Sequence, residues 1–346
     1  MTYSKSVQAL FQPFTTGKLT LPNRIVMAPM TRQFSPEGVP GPDVAAYYRR
    51  RAENGVGLIV TEGTIIDHPD SSNQPNVPHF YGEAALSGWM NVVANVHEAG
   101  GRIIPQIWHM GARGQVGAYT VEDIAVIVQA FAQAATEAKR LGFDGIELHG
   151  AHQYLIDQFF WEKTNPRTDR YGGDMVKRTR FAVEVIEACR RAVGPDFPIV
   201  LRFSQWKSTD YKAKLVATPT ELDQFLEPLA AAGVDMFHCS TRRFWEPEFE
   251  GSELNLAGWV KKLTGIPTIT VGSVGLETEV MSFFTEGKGS NITKIDGLLE
   301  KLERGEFDLV AIGRAILADP AWAGKIRDGR LDELLPFTIE AVKTLY

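Results

Sequence analysis

Short runs of branched apolar residues recur along the chain, and longer stretches with helical periodicity lie between them. The runs read RIVMAP, GLIVTEG, RIIPQIW, GIELHG, PIVLRFS, DMFHCST, PTITVGS and LVAIGR. Each is apolar on both sides of the strand period, as a strand covered on both faces is. The clearest helical stretch is TVEDIAVIVQAFAQAATEAKRLG. Thr120 has Asp123 in the capping-box position, Ile124, Val128, Phe131 and Ala135 recur at helical spacing, and Gly142 marks the stop. MVKRTRFAVEVIEACRRAVG and TPTELDQFLEPLAAAG repeat the plan, the second from a Thr cap and both stopping at Gly.

Eight such units predict an α/β fold, a TIM (β/α)8 barrel in which residues 1–346 form a single domain. A doubly wound sheet is the runner-up, but no G-x-G-x-x-G follows a strand. The N-terminal LFQPFTTGKLTLPNR alternates around a glycine and predicts a β-hairpin capping the barrel bottom. TEGKGSNITKIDG, residues 285–297, reads as an exposed insertion, and YYRRRAENG as a solvated helix end.

Composition narrows the classes. The net charge is −6 and no long basic block occurs, which argues against a nucleic-acid partner. Cys189 and Cys239 are the only cysteines, so there is no disulfide framework and a reducing, cytoplasmic location is expected. The N-terminus lacks a signal-peptide pattern, and no run approaches the roughly 20 apolar residues that span a bilayer. A monomer or homodimer with no membrane partner is expected.

In such a barrel the chemistry lies at the C-terminal ends of the strands. Those ends carry Pro29-Met30-Thr31-Arg32, Glu62-Gly63-Thr64, Gln106-Ile107-Trp108-His109, His149 with His152 and Tyr154 beyond, Arg202, Ser240-Thr241-Arg242, Gly272-Ser273 and Gly313-Arg314. Strands seven and eight each end in Gly followed by a polar residue, which favours phosphate binding by backbone N–H groups with a nearby Arg. The spacing places His149, His152, Tyr154, Gln106, Trp108 and Arg202 on the pocket rim. The segment STRRFWEPEFEG reads as rim cover, Cys239 as core, and His109, Glu147 and Asp157 as structural.

LTLPNRIVMAPMTR, GLIVTEGT, PQIWHMG, GFDGIELHGAHQYLIDQFFWEKTNPRTDRYGG, TVGSVG and AIGRAILADP together resemble the old yellow enzyme family, in family order and over nearly the whole chain. The resemblance implies an NAD(P)H-dependent ene-reductase with FMN as cofactor, NADPH or NADH as hydride donor and a small electron-poor alkene as substrate. It places Pro29, Met30, Thr31 and Gly63 against the flavin, Gln106 at its pyrimidine edge and Arg202 beside N1. Gly272, Ser273, Gly313 and Arg314 would hold the phosphate. His149 and His152 would bind the substrate's oxygen, Tyr154 would donate the proton, and Trp108 would shape the substrate side.

One feature departs from the family: HMGARGQVGAYTVEDI runs almost directly from Trp108 into the next helix, where the family has a long excursion over the mouth. A flavin-binding protein with poor ene-reductase activity is therefore an alternative reading. A metal-dependent barrel hydrolase using His149 and His152 is a weaker one.

Overall fold

Each predicted apolar run forms a strand. The computed structural model describes residues 3, 5–17, 19–111 and 116–346. It contains β1 (Phe14–Thr16), β2 (Leu19–Leu21), β3 (Ile25–Met27), β4 (Leu58–Ile65), β5 (Arg102–Trp108), β6 (Ile146–Gly150), β7 (Ile199–Ser204), β8 (Met236–Ser240), β9 (Thr268–Val271) and β10 (Leu309–Ile312). Strands β3 to β10 pair in parallel and in chain order, and β10 closes the ring on β3 through Val310 opposite Ile25. Closure leaves the barrel itself without an unpaired edge.

The strand period divides the core in two. Leu58, Val60, Ile104, Val200, Met236, Ile269, Leu309 and Ala311 point inward and fill the barrel. Ile59, Ile103, Leu201, Phe237 and Val310 alternate with them and pack in the larger outer core, where Trp89, Phe131, Ile186 and Leu226 of the surrounding helices lie. The antiparallel β1–β2 hairpin adds Phe14, Leu19 and Leu21 to the inner cluster. It meets residues near the strands' N-terminal ends, so the hairpin plugs the bottom.

One irregularity shapes the top. Val60 pairs with Ile104 and Gly63 with Gln106, so Thr61 and Glu62 together oppose Pro105. Pro105 has no N–H to give to a ladder, and a bulge in the neighbouring strand accommodates it. Gln106 N instead donates to Thr61 Oγ1 at 3.1 Å.

The helix Val121–Arg140 starts at a complete Thr120–Asp123 capping box, and Pro219–Ala231 starts at a Thr218–Glu221 box. The stretch from Met175 is two helices, Met175–Arg178 and Arg180–Val193; Thr179 Oγ1 turns back to Val176 O at the break. Residues 285–289 are exposed as expected, although Ser290 is buried and exchanges backbone hydrogen bonds with Phe337. The solvated reading of YYRRRAENG fails at Arg51, which is fully buried. Its guanidinium lies 3.8 Å from the Tyr47 ring centroid and donates to the carbonyls of Tyr47, Ile316 and Leu317. No helix among the described residues is long and apolar enough to cross a membrane.

Ile104→Ala, which opens a void inside the barrel, is expected to destabilise the protein by ~2–5 kcal/mol. Thr120→Ala, which removes a cap, is expected to cost about 1 kcal/mol. Urea unfolding followed by circular dichroism measures both.

Candidate active site

The alternation that fills the barrel continues upward. Above inward Ile104 come Gln106 and Trp108; above Val200 come Arg202 and Ser204; above Met236 come His238 and Ser240. Glu147 and His149 occupy the inward positions of β6, between outward Ile146 and Leu148. Polar side chains thus crown an apolar plug, and above them opens a cavity of about 730 Å³. That is within the size range of small-molecule sites, roughly 300–1,000 Å³.

Every residue given a substrate or cofactor role from the sequence lines this cavity. Pro29, Met30 and Thr31 follow β3, Gly63 lies on β4, and Gln106 and Trp108 lie on β5. His149, His152 and Tyr154 come from β6 and the turn after it, and Arg202 from β7. Gly272 and Ser273 follow β9, while Gly313 and Arg314 follow β10.

Four rings cluster on one wall. The Tyr154 ring centroid lies 4.7 Å from that of His149 and 4.8 Å from that of Trp108, and His149 lies 5.3 Å from His152. Burial, reinforced by the positive charge of Arg202, holds both histidines well below their ordinary pKa of 6.5, so both rings are neutral. Ala151 N donates to His149 Nδ1 at 3.3 Å, which leaves the His149 proton on Nε2. His152 Nε2 lies 2.8 Å from Ser240 Oγ, and its ring stacks on Trp206. Burial raises the Tyr154 pKa, with Arg202 opposing, so the phenol stays protonated.

The turn that presents these rings is strained. His152 and Gln153 have φ of 61° and 68°, a left-handed conformation unfavourable to non-glycine residues. Two side chains hold it. Ser204 Oγ accepts from His152 N at 3.2 Å, and Asp157 Oδ2 accepts from Gln153 N at 2.7 Å. Asp157 is itself paired with Lys207 at 2.5 Å, both side chains fully buried.

A polar layer lies on the inward positions below. Gln106 Nε2 donates to Glu147 Oε1 at 2.8 Å, and His238 Nδ1 donates to Glu147 Oε2 at 2.6 Å. Arg202 donates to Ser240 Oγ at 3.4 Å. Burial lowers the Arg202 pKa, while Glu147 and Tyr154 raise it.

The opposite end suits a phosphate. A Cβ on Gly272 would lie 2.7 Å from Thr241 O, so only glycine lets the two backbones meet there. Ser273 follows with φ 51°. Arg314 is braced by donating to the carbonyls of Thr278 and Glu279, and burial brings its pKa down to about 10, still cationic near neutrality. A Cβ on Gly63 would lie 2.9 Å from Trp108 Cε3. These residues fit FMN: a cation beside a glycine-opened backbone for the phosphate, glycine-lined walls for a flat ring system, and an amide and a guanidinium at the far end.

One correction follows. Thr241 and Arg242, read as rim cover, line the cavity, whereas Trp245 is exposed and Arg243 pairs with Glu246. Glu147, read as structural, is buried with both its oxygens hydrogen-bonded by Gln106 and His238. Among the described residues no group of three or more His, Cys, Asp or Glu is arranged to hold a metal ion. Four residues of the short loop after Trp108, 112–115, lie outside the described residues.

The sequence reading also missed contributors. Ser240 stood among the strand ends yet received no role, and Trp206 had no signal beyond its aromatic character. Glu62 accepts from the N–H groups of Arg32 and Gln33 at 2.8 and 3.0 Å, anchoring the loop that carries Met30 and Thr31. Burial raises its pKa to about 7.

A sequence profile of the NADH:flavin oxidoreductase / NADH oxidase family matches residues 9–120 and 116–293. The NADH oxidase of Thermoanaerobacter brockii is 34% identical over 94% of this chain, which spans 52% of that protein's length. 12-Oxophytodienoate reductase 7 of Oryza sativa subsp. japonica is 31% identical over 92% of this chain and 87% of its own. Among solved structures, morphinone reductase in complex with tetrahydroNAD superposes with a TM-score of 0.79 and 27% identity, covering 96% of this chain and 93% of its own. The old yellow enzyme homologue from Zymomonas mobilis, at 24% identity, shares the fold with a TM-score of 0.80 over 97% of this chain and 96% of its own.

The buried histidines give a pH signature. His109, held to about 3 by burial and by His68, stays neutral in the fold but titrates near 6.5 once unfolded. The unfolded state then binds more protons, so stability falls as pH drops below 6.5 and keeps falling towards 3. Between pH 7.5 and 5.5 this one residue accounts for about 1.4 kcal/mol. His109→Gln is expected to reduce the loss over that interval by about this amount, measured by urea unfolding at both pH values.

Proposed function

This chain belongs to the NADH:flavin oxidoreductase / NADH oxidase family, the old yellow enzyme family of FMN-dependent oxidoreductases, and from that premise we propose that it reduces activated C=C bonds. The substrates are small α,β-unsaturated carbonyl or nitro compounds, and NADPH or NADH is the hydride donor. The observation that carries this reading is the convergence of His149, His152 and Tyr154 on one wall of a cavity whose other walls suit FMN. Relatives named as 12-oxophytodienoate reductase and morphinone reductase support it.

FMN, when bound, would be the source of the hydride for the substrate's β carbon. The protein's part is to hold charge and protons in place. As negative charge builds on the substrate's oxygen, a fixed N–H donor stabilises it without reorganisation. His149 offers its Nε2–H for this, and His152 adds a second ring from the strained turn. Because both rings are neutral, they polarise the oxygen by hydrogen bonding and do not transfer a proton to it. Tyr154 retains its proton at neutral pH and gives it to the α carbon. Trp108 packs edge-on against Tyr154 and fixes its approach.

The remaining residues hold the cofactor in this reading. Gly272, Ser273, Gly313 and Arg314 would hold the phosphate, and Pro29, Met30, Thr31 and Gly63 would flank the ring system. Gln106 would meet the pyrimidine edge, and Arg202 would keep a positive charge on that side. Arg suits a buried site, since guanidinium resists deprotonation.

The purified protein is expected to be yellow. Under anaerobic conditions NADPH or NADH should bleach it and 2-cyclohexenone should restore the colour. A bleached protein that 2-cyclohexenone leaves bleached would instead support flavin binding without ene reduction. Tyr154→Phe is expected to slow reoxidation by about 10²–10⁴-fold. His149→Ala is expected to slow it by about 10²–10³-fold. Stopped-flow flavin absorbance measures both; a Tyr154→Phe rate equal to the parent's removes that residue from proton transfer.

A further inference from the structure

The crown of the barrel holds an ionisable pair that the chemistry above leaves unused. Glu147 and His238 are both fully buried and 2.6 Å apart, on strands separated by β7. Nothing in the packing calls for them. Val200, directly opposite Glu147 on β7, and Ile104 and Met236, one step below Gln106 and His238 on their own strands, are apolar and fill the barrel. A buried carboxylate is costly unless its oxygens are well hydrogen-bonded, and such groups are retained where they fix something.

What they fix is Gln106. An ionised carboxylate only accepts hydrogen bonds, so the amide must turn its Nε2 to Glu147. Its Oε1 then lies on the Gly63 side, where it would sit 3.5 Å from a Cβ built on that glycine. Gly63 and Gln106 both line the cavity. Arg202 also feels Glu147, yet its hydrogen bond goes to Ser240. The crown therefore sets a fixed acceptor and a partly compensated cation at the same end of the cavity.

We propose that Glu147, steadied by His238, is a positioning residue for the cofactor: it locks the Gln106 amide with its oxygen towards the cavity, and its negative charge offsets Arg202. The proposal rests on the FMN reading of that cavity. It has two separable consequences. An oxygen at Gln106 selects a donor on the ligand, as the N–H of the flavin pyrimidine is. A carboxylate beneath the same end disfavours the added negative charge of reduced flavin, and so lowers the midpoint potential.

Two variants separate these effects. Glu147→Gln keeps the side chain's size and removes its charge, leaving Arg202 unopposed. Its midpoint potential is expected to rise, with the ratio of reduced to oxidised flavin at fixed potential increasing at least tenfold, about 30 mV for a two-electron couple. Glu147→Asp keeps the charge and shortens the reach to Gln106. It is expected to hold the parent's potential within that margin and to bind FMN at least tenfold more weakly. Potentials come from anaerobic dye-equilibrated titration of the holoprotein, and affinity from flavin fluorescence on release. Glu147→Gln at the parent's potential overturns the proposal, as does Glu147→Asp with unchanged FMN affinity. If both variants emerge without FMN, the pair serves the barrel and the proposal is likewise overturned. A parent protein that never takes up FMN would sink the cofactor reading itself, which keeps the two failures apart.

Discussion

The site depends on one geometric constraint, the strict alternation of side chains along strands locked into a closed parallel ring. Because no strand in a closed ring can slip without disturbing both neighbours, the inward set is fixed from bottom to top. Apolar inward residues at the base seal the barrel and keep water from beneath the site. The same positions further along carry Gln106, Glu147, Arg202 and His238. A layer of buried polar groups is held there because Gln106 and His238 both donate to Glu147 and Arg202 donates to Ser240, while Nε of Arg202 and Nε2 of His238 have no partner among the described residues.

Strain and rigidity are divided between this crown and the turn above it. The ladder holds His149 as a strand residue, with its neutral form enforced by burial and by Arg202. His152 and Tyr154 sit beyond the ladder and need separate support. That support is a left-handed turn pinned by Ser204 and Asp157, with Lys207 beneath. Under the proposed function the arrangement would act as an oxyanion hole does, its donors aimed before the substrate arrives.

Much of this was legible in the chain because the signals are local. Branched apolar runs marked all eight barrel strands to within two residues at each end. The rule that βα loops converge then gathered Pro29, Gly63, Gln106, His149, Arg202, Gly272 and Arg314 into one neighbourhood, where the structure places them. Their individual roles came from likeness to a family and not from spacing. What escaped was set by distant partners. The Glu147–His238 pair joins residues 91 apart in sequence, and neither has a local cue. Arg51 looked like one of three solvated arginines because two of its three carbonyl partners lie more than 260 residues away. The split at Thr179 turns on one hydroxyl that bonds backward, which helical periodicity does not register.

The bulge opposite Pro105 has an implication for insertions and deletions. Dropping either Thr61 or Glu62 would straighten the strand and still leave Gly63 facing inward, so a comparison of hydrophobic patterns would score the shorter chain as sound. One version would lack the hydroxyl that receives Gln106 N–H; the other would lack the carboxylate that moors Arg32 and Gln33. The doublet is therefore a length-encoded clasp, and a gap of one residue here in a homologue would signal a differently tethered loop after β3 rather than neutral drift.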